Sequence, residues 1–360
     1  MQPMTLLLLL AGLLLLFFGG ELLVRGAVAI ARRAGVPPLV VGVTVVAFGT
    51  SAPEAVVSLS AVMSGQDAIA VGNVVGSNVF NVLFILGLCA LIRPLAVAQQ
   101  LVFRDVPVMI GVSLLFWLLS LDGRLSLFEG LVFLVGLALF NVDVVRSSRR
   151  ESAEVSVEYE TSLPQAPARA SLALLEIVGG LALLALGARW LVASAVEVAQ
   201  AIGVDDTVIA LTIVAAGTGM PEVATSIVAT LRGQRDIAVG NVIGSNIFNL
   251  LGILGVSAVA GGGLAVSAAF ENFDVPVMVA VAVACLPLSA RRHEIARWQG
   301  AFFVGVYGVY VLYLILAAQE HAALERVNAV MLEFVLPLIA AGLIAAVYAR
   351  RARSSPPAER

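Results

Sequence analysis

The sequence predicts an all-α integral membrane protein with two inverted five-helix repeats and one extra C-terminal transmembrane helix. Of its 360 residues, 60% are hydrophobic and 12% are charged, whereas about 45–50% of a soluble domain is apolar. The mean hydropathy is +1.02. Apolar segments reach the roughly 20 residues that cross a bilayer as a helix. Polar motifs of the first half recur 168 residues later.

The apolar segments predict eleven membrane-spanning helices. They are rich in Leu, Val and Ala and lack the alternation of barrel strands. No basic residue precedes the first segment, so we expect it to remain in the mature protein. The first five spans lie near residues 4–24, 39–63, 68–91, 106–120 and 125–145. The next five lie near 172–199, 207–230, 237–261, 275–289 and 299–317, and the eleventh lies near 330–348.

A repeated motif divides the chain into two halves. Residues 65–81 (GQDAIAVGNVVGSNVFN) and 233–249 (GQRDIAVGNVIGSNIFN) share 13 of 17 residues. Five spans per half place the second copy upside down in the membrane, as in secondary transporters. We expect four segments: a first repeat over 1–145, a solvated cytoplasmic linker over 146–170, a second repeat over 171–317, and the extra span with a basic cytoplasmic tail over 318–360.

The arginines predict the orientation in the membrane. If the N-terminus faces outward, 18 of the 21 basic residues fall in inner loops and the tail. Only Arg124 and Arg326 then lie outside, and Arg189 lies within a span. Cytoplasmic loops carry such an excess of positive charge. We therefore expect a multi-pass protein of the cell's inner (plasma) membrane, with its N-terminus outside and its C-terminus in the cytoplasm.

Two glutamates lie deep within apolar segments. Glu54 and Glu222 end the matching motifs GTSAPE and GTGMPE. An ionised side chain at that depth costs at least ~2.5 kcal/mol, so each should face a cavity or a partner. No basic residue lies in spans two, three, seven or eight to pair with them. The pattern therefore indicates a functional site rather than buried structural ion pairs.

Neutral oxygens accompany these glutamates. Pro53 and Pro221 lie inside their predicted spans, where each ring removes a hydrogen bond to a carbonyl four residues earlier. On the next helix of each half, polar residues at i, i+4 and i+8 share one face: Asn73, Ser77 and Asn81, and then Asn241, Ser245 and Asn249. Carboxylate, carbonyl, amide and hydroxyl oxygens suit a hard cation such as calcium or sodium. The sequence predicts a cation transport site.

The paired motifs GTSAPE/GTGMPE and GNVVGSNVFN/GNVIGSNIFN resemble the two α-repeats of the cation/calcium exchanger superfamily, and most closely its prokaryotic sodium/calcium exchanger branch. The resemblance covers residues 1 to about 317. It implies antiport of calcium against sodium by alternating access, with no cofactor besides the transported ions. The implied cation ligands are Glu54, Glu222, Thr50, Thr218, Ser51, Ser77, Ser245, Asn81 and the carbonyls of Ala47 and Ala215.

Two positions of this implied site depart from the commonest family pattern. Gly219 stands where a second hydroxyl is usual, and Asn249 stands where many sodium/calcium members have an aspartate. A sodium subsite that lacks one hydroxyl should bind sodium more weakly, so we expect a shallower sodium dependence. The stoichiometry and the counter-ion stay open.

Other functions fit the sequence less well. A calcium/proton antiporter uses the same fold and is the main alternative, and a passive cation channel is disfavoured by a closed site between paired broken helices. An enzyme is disfavoured because the only histidines, His293 and His321, lie in predicted loops. The expected partners are calcium and sodium ions and the lipid bilayer, and not nucleic acid. The oligomeric state stays open.

The inverted topology predicts opposite exposure of two equivalent loop residues. Gln66 should lie outside, between spans two and three, and Gln234 inside, between spans seven and eight. In intact cells a cysteine at Gln66 should react with a membrane-impermeant maleimide, and one at Gln234 only after permeabilisation. The unsubstituted chain, whose Cys89 and Cys285 lie in apolar segments, is the control. Equal labelling of both positions would show that the halves are not inverted.

Overall fold

The fold is a bundle of long apolar helices. It is seen in a computed structural model that describes residues 3–159, 169–203, 209, 213, 215–268, 270–290 and 294–318. Within these residues, seven helices are long and apolar enough to cross a membrane, or eight if one bent pair forms a single span. The helical membrane architecture agrees with the prediction from composition.

The helices and strands have the following bounds. The helices are α1 Pro3–Ala34, α2 Pro38–Thr50, α3 Ala52–Met63, α4 Asp67–Ile92, α5 Leu101–Asp122, α6 Leu127–Tyr159, α7 Ala170–Ala201, α8 Ala215–Gly217, α9 Met220–Leu231, α10 Arg235–Ala260, α11 Val275–Ala290 and α12 Arg297–Ala318. The strands, which the sequence did not predict, are β1 Leu95–Ala96, β2 Arg124–Leu125, β3 Leu264–Ala265 and β4 Glu294–Ile295.

Several turns of these helices are π-helical. They cover Gly42–Val46, Asn81–Leu86, Leu101–Asp105, Asn249–Leu254 and Phe270–Asp274, the last of which leads into α11. Single π-helical turns often mark functional sites, because the wider turn redirects the side chains around it. The turns at 81–86 and 249–254 begin at the last asparagine of each repeated motif, so the two halves share this local irregularity.

The observed helices differ from the predicted spans in several places, and α1 continues ten residues past the predicted end, to Ala34. The second span, 39–63, is the bent pair α2 and α3, whose axes differ by 44°. The described part of the seventh, 207–230, contains α8 and the 12-residue α9. The ninth, 275–289, agrees to within one residue with the 16-residue α11. The eleventh lies outside the described residues. The helix α6 continues to Tyr159, into the predicted linker.

The helices α1 and α7 form a close antiparallel pair. A Cβ atom at Gly12 would lie 2.9 Å from the Gly187 carbonyl oxygen, and one at Gly19 would lie 2.9 Å from that of Gly180. Small residues of this kind let membrane helices approach closely. Gly180 and Gly187 are the repeat equivalents of Gly12 and Gly19. The same two glycines of each half therefore meet in a reciprocal contact.

Other contacts between the halves are also made twice. Strand β1 of the first half pairs with β4 of the second, and β3 of the second pairs with β2 of the first. A Cβ at Gly87 would lie 3.0 Å from the Gly300 carbonyl oxygen, and one at Gly255 would lie 3.1 Å from that of Gly130. Helix α4 thus packs on α12, and α10 packs on α6. Each half supplies contacts that the other needs.

The helices with the asparagine motifs lie at the centre of the bundle. In the most apolar 18-residue stretch of α4 and of α10, 72% and 83% of the residues are buried inside the protein. The corresponding share is 22% in α6 and in α12. Lipid-facing helices can be apolar all round, but central helices can hold polar groups only if these are satisfied by other protein groups or by a ligand. The fold therefore directs the polar face of both motifs towards the middle of the protein.

Candidate functional site

The first component of the site is a break in each half. Helix α2 ends at Thr50 and α3 begins at Ala52, so Ser51 lies at the bend. In the second half, Gly219 occupies the equivalent position before α9. Pro53 and Pro221 are in the first turn after the break, where a helix needs no amide donor from them. The sequence predicts both prolines within broken spans, and the structure places each of them in the first turn of the helix that follows the break.

The breaks place two glutamates at helix N-termini. Glu54 lies in the first turn of α3 and Glu222 in the first turn of α9. Unpaired amide groups give a helix N-terminus a partial positive charge, which stabilises a nearby carboxylate. The start of each half-helix therefore offsets part of the cost of burying a negative charge.

The two glutamates lie close together in the protein interior. Each is 1% exposed, and the two side chains are close enough to interact electrostatically. The Ser51 hydroxyl donates a 2.9 Å hydrogen bond to Glu222 Oε1. Thr50 lies beside Glu222, and Thr218 lies beside Glu54. The N-terminal ends of α3 and α9 thus meet, and each half contributes hydroxyl groups around the carboxylate of the other.

Several oxygen atoms of the predicted ligand residues have no hydrogen-bond partner in the described part of the chain. They are Glu54 Oε2, Glu222 Oε2, Thr218 Oγ1, Ser245 Oγ and Asn249 Oδ1, all buried. The three ion pairs of the described residues join Arg25 to Glu176, Arg104 to Asp105 and Arg232 to Glu21. None of them neutralises Glu54 or Glu222. Unpaired buried acceptors, above all charged ones, are costly, so this arrangement favours a positively charged ligand.

Asn73 and Asn241 support the broken helices. The Asn73 amide donates 3.1 Å and 2.9 Å hydrogen bonds to the Glu54 carbonyl and the Ser58 hydroxyl. In the other half the Asn241 amide donates a 3.1 Å bond to the Ser226 hydroxyl, and its Oδ1 lies 3.1 Å from Thr50 Oγ1. These two asparagines hold α3 against α4 and α9 against α10, and they thereby fix the positions of the glutamates.

A second group of asparagines joins the centres of α4 and α10. Asn81 Nδ2 donates a 3.0 Å hydrogen bond to Asn246 Oδ1, and Asn249 Nδ2 donates a 3.1 Å bond to Asn78 Oδ1. The sequence prediction included Asn81 and Asn249 but missed Asn78 and Asn246, because these lie off the i, i+4, i+8 face. Their recurrence as buried amides in both apolar helices was the available signal.

The other predicted ligand residues lie on α2, α4, α8 and α10. Ser77 and Ser245 are buried on α4 and α10. The Ala47 carbonyl accepts a 3.1 Å hydrogen bond from the Ser51 amide, and Ala215 begins α8. In the described residues no three His, Cys, Asp or Glu side chains form a cluster. A cation at this position would therefore depend on neutral oxygens as well as on two carboxylates.

The surroundings of Gly219 differ from those of Ser51, its equivalent in the first half. A Cβ atom there would lie 2.9 Å from Phe80 Cε1 and 3.0 Å from Cδ1. The Phe80 ring also stacks on Phe84 at a centroid distance of 5.0 Å and packs against Tyr307 at 5.4 Å. At the equivalent place in the first half, Ser51 has its hydroxyl on Glu222. One half thus presents a hydroxyl and the other an aromatic ring.

The surroundings of the two breaks differ in a second way. A cavity of about 400 Å³ lies between α2, α6 and α10. It is lined by Val43, Thr44, Val45, Phe48, Leu137, Phe140, Asn141, Gly244 and Phe248. The repeat equivalent of Phe248 is Phe80. The equivalent of Leu137 is Tyr307, because residues 130–137 (GLVFLVGL) align with residues 300–307 (GAFFVGVY). The rings of Phe80 and Tyr307 are in contact. The Phe248 ring thus borders the cavity and contacts Phe48, whereas the Phe80 ring packs against Phe84 and Tyr307.

The family described as sodium/calcium exchanger protein matches residues 4–144 and 172–316. The chain belongs to the sodium/calcium exchanger family. This finding confirms the resemblance on which the predicted ligand set was based, and it makes the protein a membrane transporter of an exchanger family.

Individual relatives match most of the chain. A protein of Alkalimonas amylolytica with the provisional name antiporter CaxA is 41% identical over 290 residues, covering 80% of this chain and 90% of that protein. Inner membrane protein YrbG of Escherichia coli is 36% identical over 314 residues, covering 85% and 95%. A solved structure of the sodium/calcium exchanger from Methanococcus jannaschii superposes with a TM-score of 0.74 at 30% identity, covering 86% and 97%.

The contact between Gly219 and Phe80 predicts a conditional effect of a larger residue. Gly219→Ser should lower the free energy of unfolding by about 1–3 kcal/mol, because the Phe80 ring must move. In a Phe80→Leu background the loss should be smaller by at least ~1 kcal/mol. Unfolding in detergent without calcium measures both. An equal loss in the two backgrounds would show that Phe80 does not restrict this position.

Proposed function

We propose that this protein is a secondary active antiporter that exchanges calcium for sodium at one site in the middle of the membrane. The observation that carries the proposal is the meeting of Glu54 and Glu222 at two helix breaks, with unpartnered buried oxygens around them. Two carboxylates give the site a formal charge of about −2, and one calcium ion balances it. Several sodium ions are needed for comparable neutralisation, so the two cations compete for the same charge.

The proposed ligands are the oxygens that line this point. Glu54 and Glu222 are the central carboxylates, and Thr50 and Thr218 contribute backbone and hydroxyl oxygens. Further ligands are the Ser51, Ser77 and Ser245 hydroxyls, the Asn81 and Asn249 amide oxygens, and the Ala47 and Ala215 carbonyls. Gly219 contributes no side-chain oxygen to its sodium subsite. The C-terminal ends of α2 and α8 support this assignment, because the C-terminal end of a half-helix carries a partial negative charge that favours a cation.

Alternating access is the proposed mechanism. The reciprocal contacts of Gly12 with Gly187 and of Gly19 with Gly180 support two inverted halves of five spans each. In such a protein, two states related by exchanging the roles of the halves open the same site to opposite sides. The cavity beside α2 and the aromatic packing around Phe80 fit one asymmetric state of this kind.

The membrane assignment is part of the same proposal. We place the protein in the inner (plasma) membrane with the N-terminus outside and the C-terminus in the cytoplasm, on the basis of the arginine distribution. The name of the relative YrbG, an inner membrane protein, is consistent with this. The repeat boundaries, the cytoplasmic linker and the extra C-terminal span are proposed as the sequence predicts them.

Removal of either central carboxylate should stop calcium exchange. Glu54→Gln or Glu222→Gln should each lower sodium-driven calcium-45 uptake by at least ~10-fold, since half of the balancing charge is lost. Without calcium, neither change should lower thermal stability, because an unpaired buried charge is removed. Glu197→Gln is the matched control, as its carboxylate accepts a hydrogen bond from Thr5 away from the site. Near wild-type flux in either site variant would refute the assignment.

The counter-ion distinguishes the proposal from its main alternative. A calcium/proton antiporter would also use two carboxylates, because protons can balance the same charge. Proteoliposomes loaded with sodium should take up calcium-45 in a saturable manner, and those with only a proton gradient should not. Uptake driven by protons alone would identify the alternative. Non-saturable uptake without any counter-ion would instead indicate a channel.

A further inference from the structure

Four asparagines, Asn78, Asn81, Asn246 and Asn249, form a network of hydrogen bonds between α4 and α10. The Asn78 amide donates a 3.2 Å hydrogen bond to the Asn246 backbone carbonyl. The Asn246 amide donates a 3.3 Å hydrogen bond to the Asn78 backbone carbonyl. Each side chain then accepts, through its Oδ1, a bond from the last asparagine of the opposite half, Asn249 or Asn81. All four residues are buried. None of these bonds involves the carboxylates of Glu54 or Glu222.

We propose that Asn78 and Asn246 are positioning residues that orient the amides of Asn249 and Asn81, so that an oxygen and not an NH₂ group faces the cation. The inference rests on the proposed function, because it concerns the ligands of that site. An asparagine side chain presents an acceptor on one edge and a donor on the other. Only one of the two orientations can bind a positive ion.

The orientation originates at a backbone carbonyl. A carbonyl oxygen can only accept, so the group that Asn78 turns towards the Asn246 carbonyl must be its NH₂. Its Oδ1 then points the other way and accepts from Asn249 Nδ2. Once that nitrogen is held, Asn249 Oδ1 is the remaining polar atom of the side chain. It is buried and has no partner in the described part of the chain.

Two methionines strengthen the same orientation. Asn78 Nδ2 lies 3.7 Å from Met278 Sδ, and Asn246 Nδ2 lies 3.5 Å from Met109 Sδ. A thioether sulfur is a weak acceptor and offers nothing to an amide oxygen. Met109 and Met278 end the motif DVPVM, which occurs at 105–109 and again at 274–278. The carboxylate site does not explain the role of this motif. Both the backbone carbonyl and the sulfur therefore favour the NH₂ group on this side of each asparagine.

The consequence is specific to an amide at position 249. If Asn78 lost its acceptor, the Asn249 amide could turn and present its NH₂ group to the cation, which would lose a ligand and meet a partial positive charge. An aspartate at 249 would not depend on Asn78 in this way, because both of its oxygens are acceptors. The effect of Asn78 on cation affinity should therefore exist with Asn249 and vanish with an aspartate.

A double-mutant cycle tests this dependence. Asn78→Leu is compared in the native chain and in an Asn249→Asp background, with the calcium KM for uptake and the calcium-induced rise in melting temperature as readouts. With Asn249, we expect Asn78→Leu to raise the KM about 10-fold and to reduce the calcium-induced rise. With Asn249→Asp, the change should be under about 2-fold. Asn272→Leu is the control, since the exposed Asn272 amide donates a 2.7 Å hydrogen bond to the nearby Ala268 carbonyl, away from the four asparagines.

Equal losses in both backgrounds, or no loss with Asn249, would overturn the proposal, because a merely structural role does not distinguish an amide from a carboxylate. The mirror cycle, Asn246→Leu with native Asn81 or Asn81→Asp, provides the same test if Asn78→Leu does not fold. Measurements on the native chain distinguish a failure of the proposed function from a failure of the positioning role. Absence of calcium uptake and calcium stabilisation in the native chain would refute the proposed function itself, whereas native uptake with equal losses would refute only the positioning role.

Discussion

The burial of two carboxylates in the interior of a membrane protein is the constraint on which the rest of the site depends. Glu54 and Glu222 have no arginine partner among the described residues, and one oxygen of each has no hydrogen bond. Helix N-termini and the Ser51 hydroxyl offset part of the cost. The remainder favours a cation or protons, and this requirement links the fold to transport.

Reciprocity between the halves is the means by which one chain builds such a site. Glycine contacts, short strands and asparagine bonds each occur twice, always between one half and the other. Neither half can therefore complete a carboxylate environment alone. The departures from symmetry lie close to the centre, where Gly219 faces Phe80 while Ser51 faces Glu222. Differences at these positions allow the two sides of the site to bind cations unequally.

Much of this was predictable from the sequence, for physical reasons. Glutamate, proline and asparagine are conspicuous in apolar helices, and their recurrence at a constant offset revealed both the halves and the carboxylate pair. Contacts that depend on the fit between halves were not predictable. The bonds of Asn78 with Asn249 depend on the register of α4 against α10, and the restriction at Gly219 depends on the Phe80 rotamer. The start of α3 at Ala52 also required the structure, because a proline fits both a kinked helix and a first turn.

The position of a bound cation tests the central claim most directly. Crystals grown with saturating calcium and no sodium, measured for calcium anomalous scattering, should show one peak about 2.3–2.6 Å from carboxylate oxygens of both Glu54 and Glu222. The peak should disappear when sodium replaces calcium. A calcium peak away from these two residues, or one that persists unchanged in saturating sodium, would contradict a single site shared by the two halves.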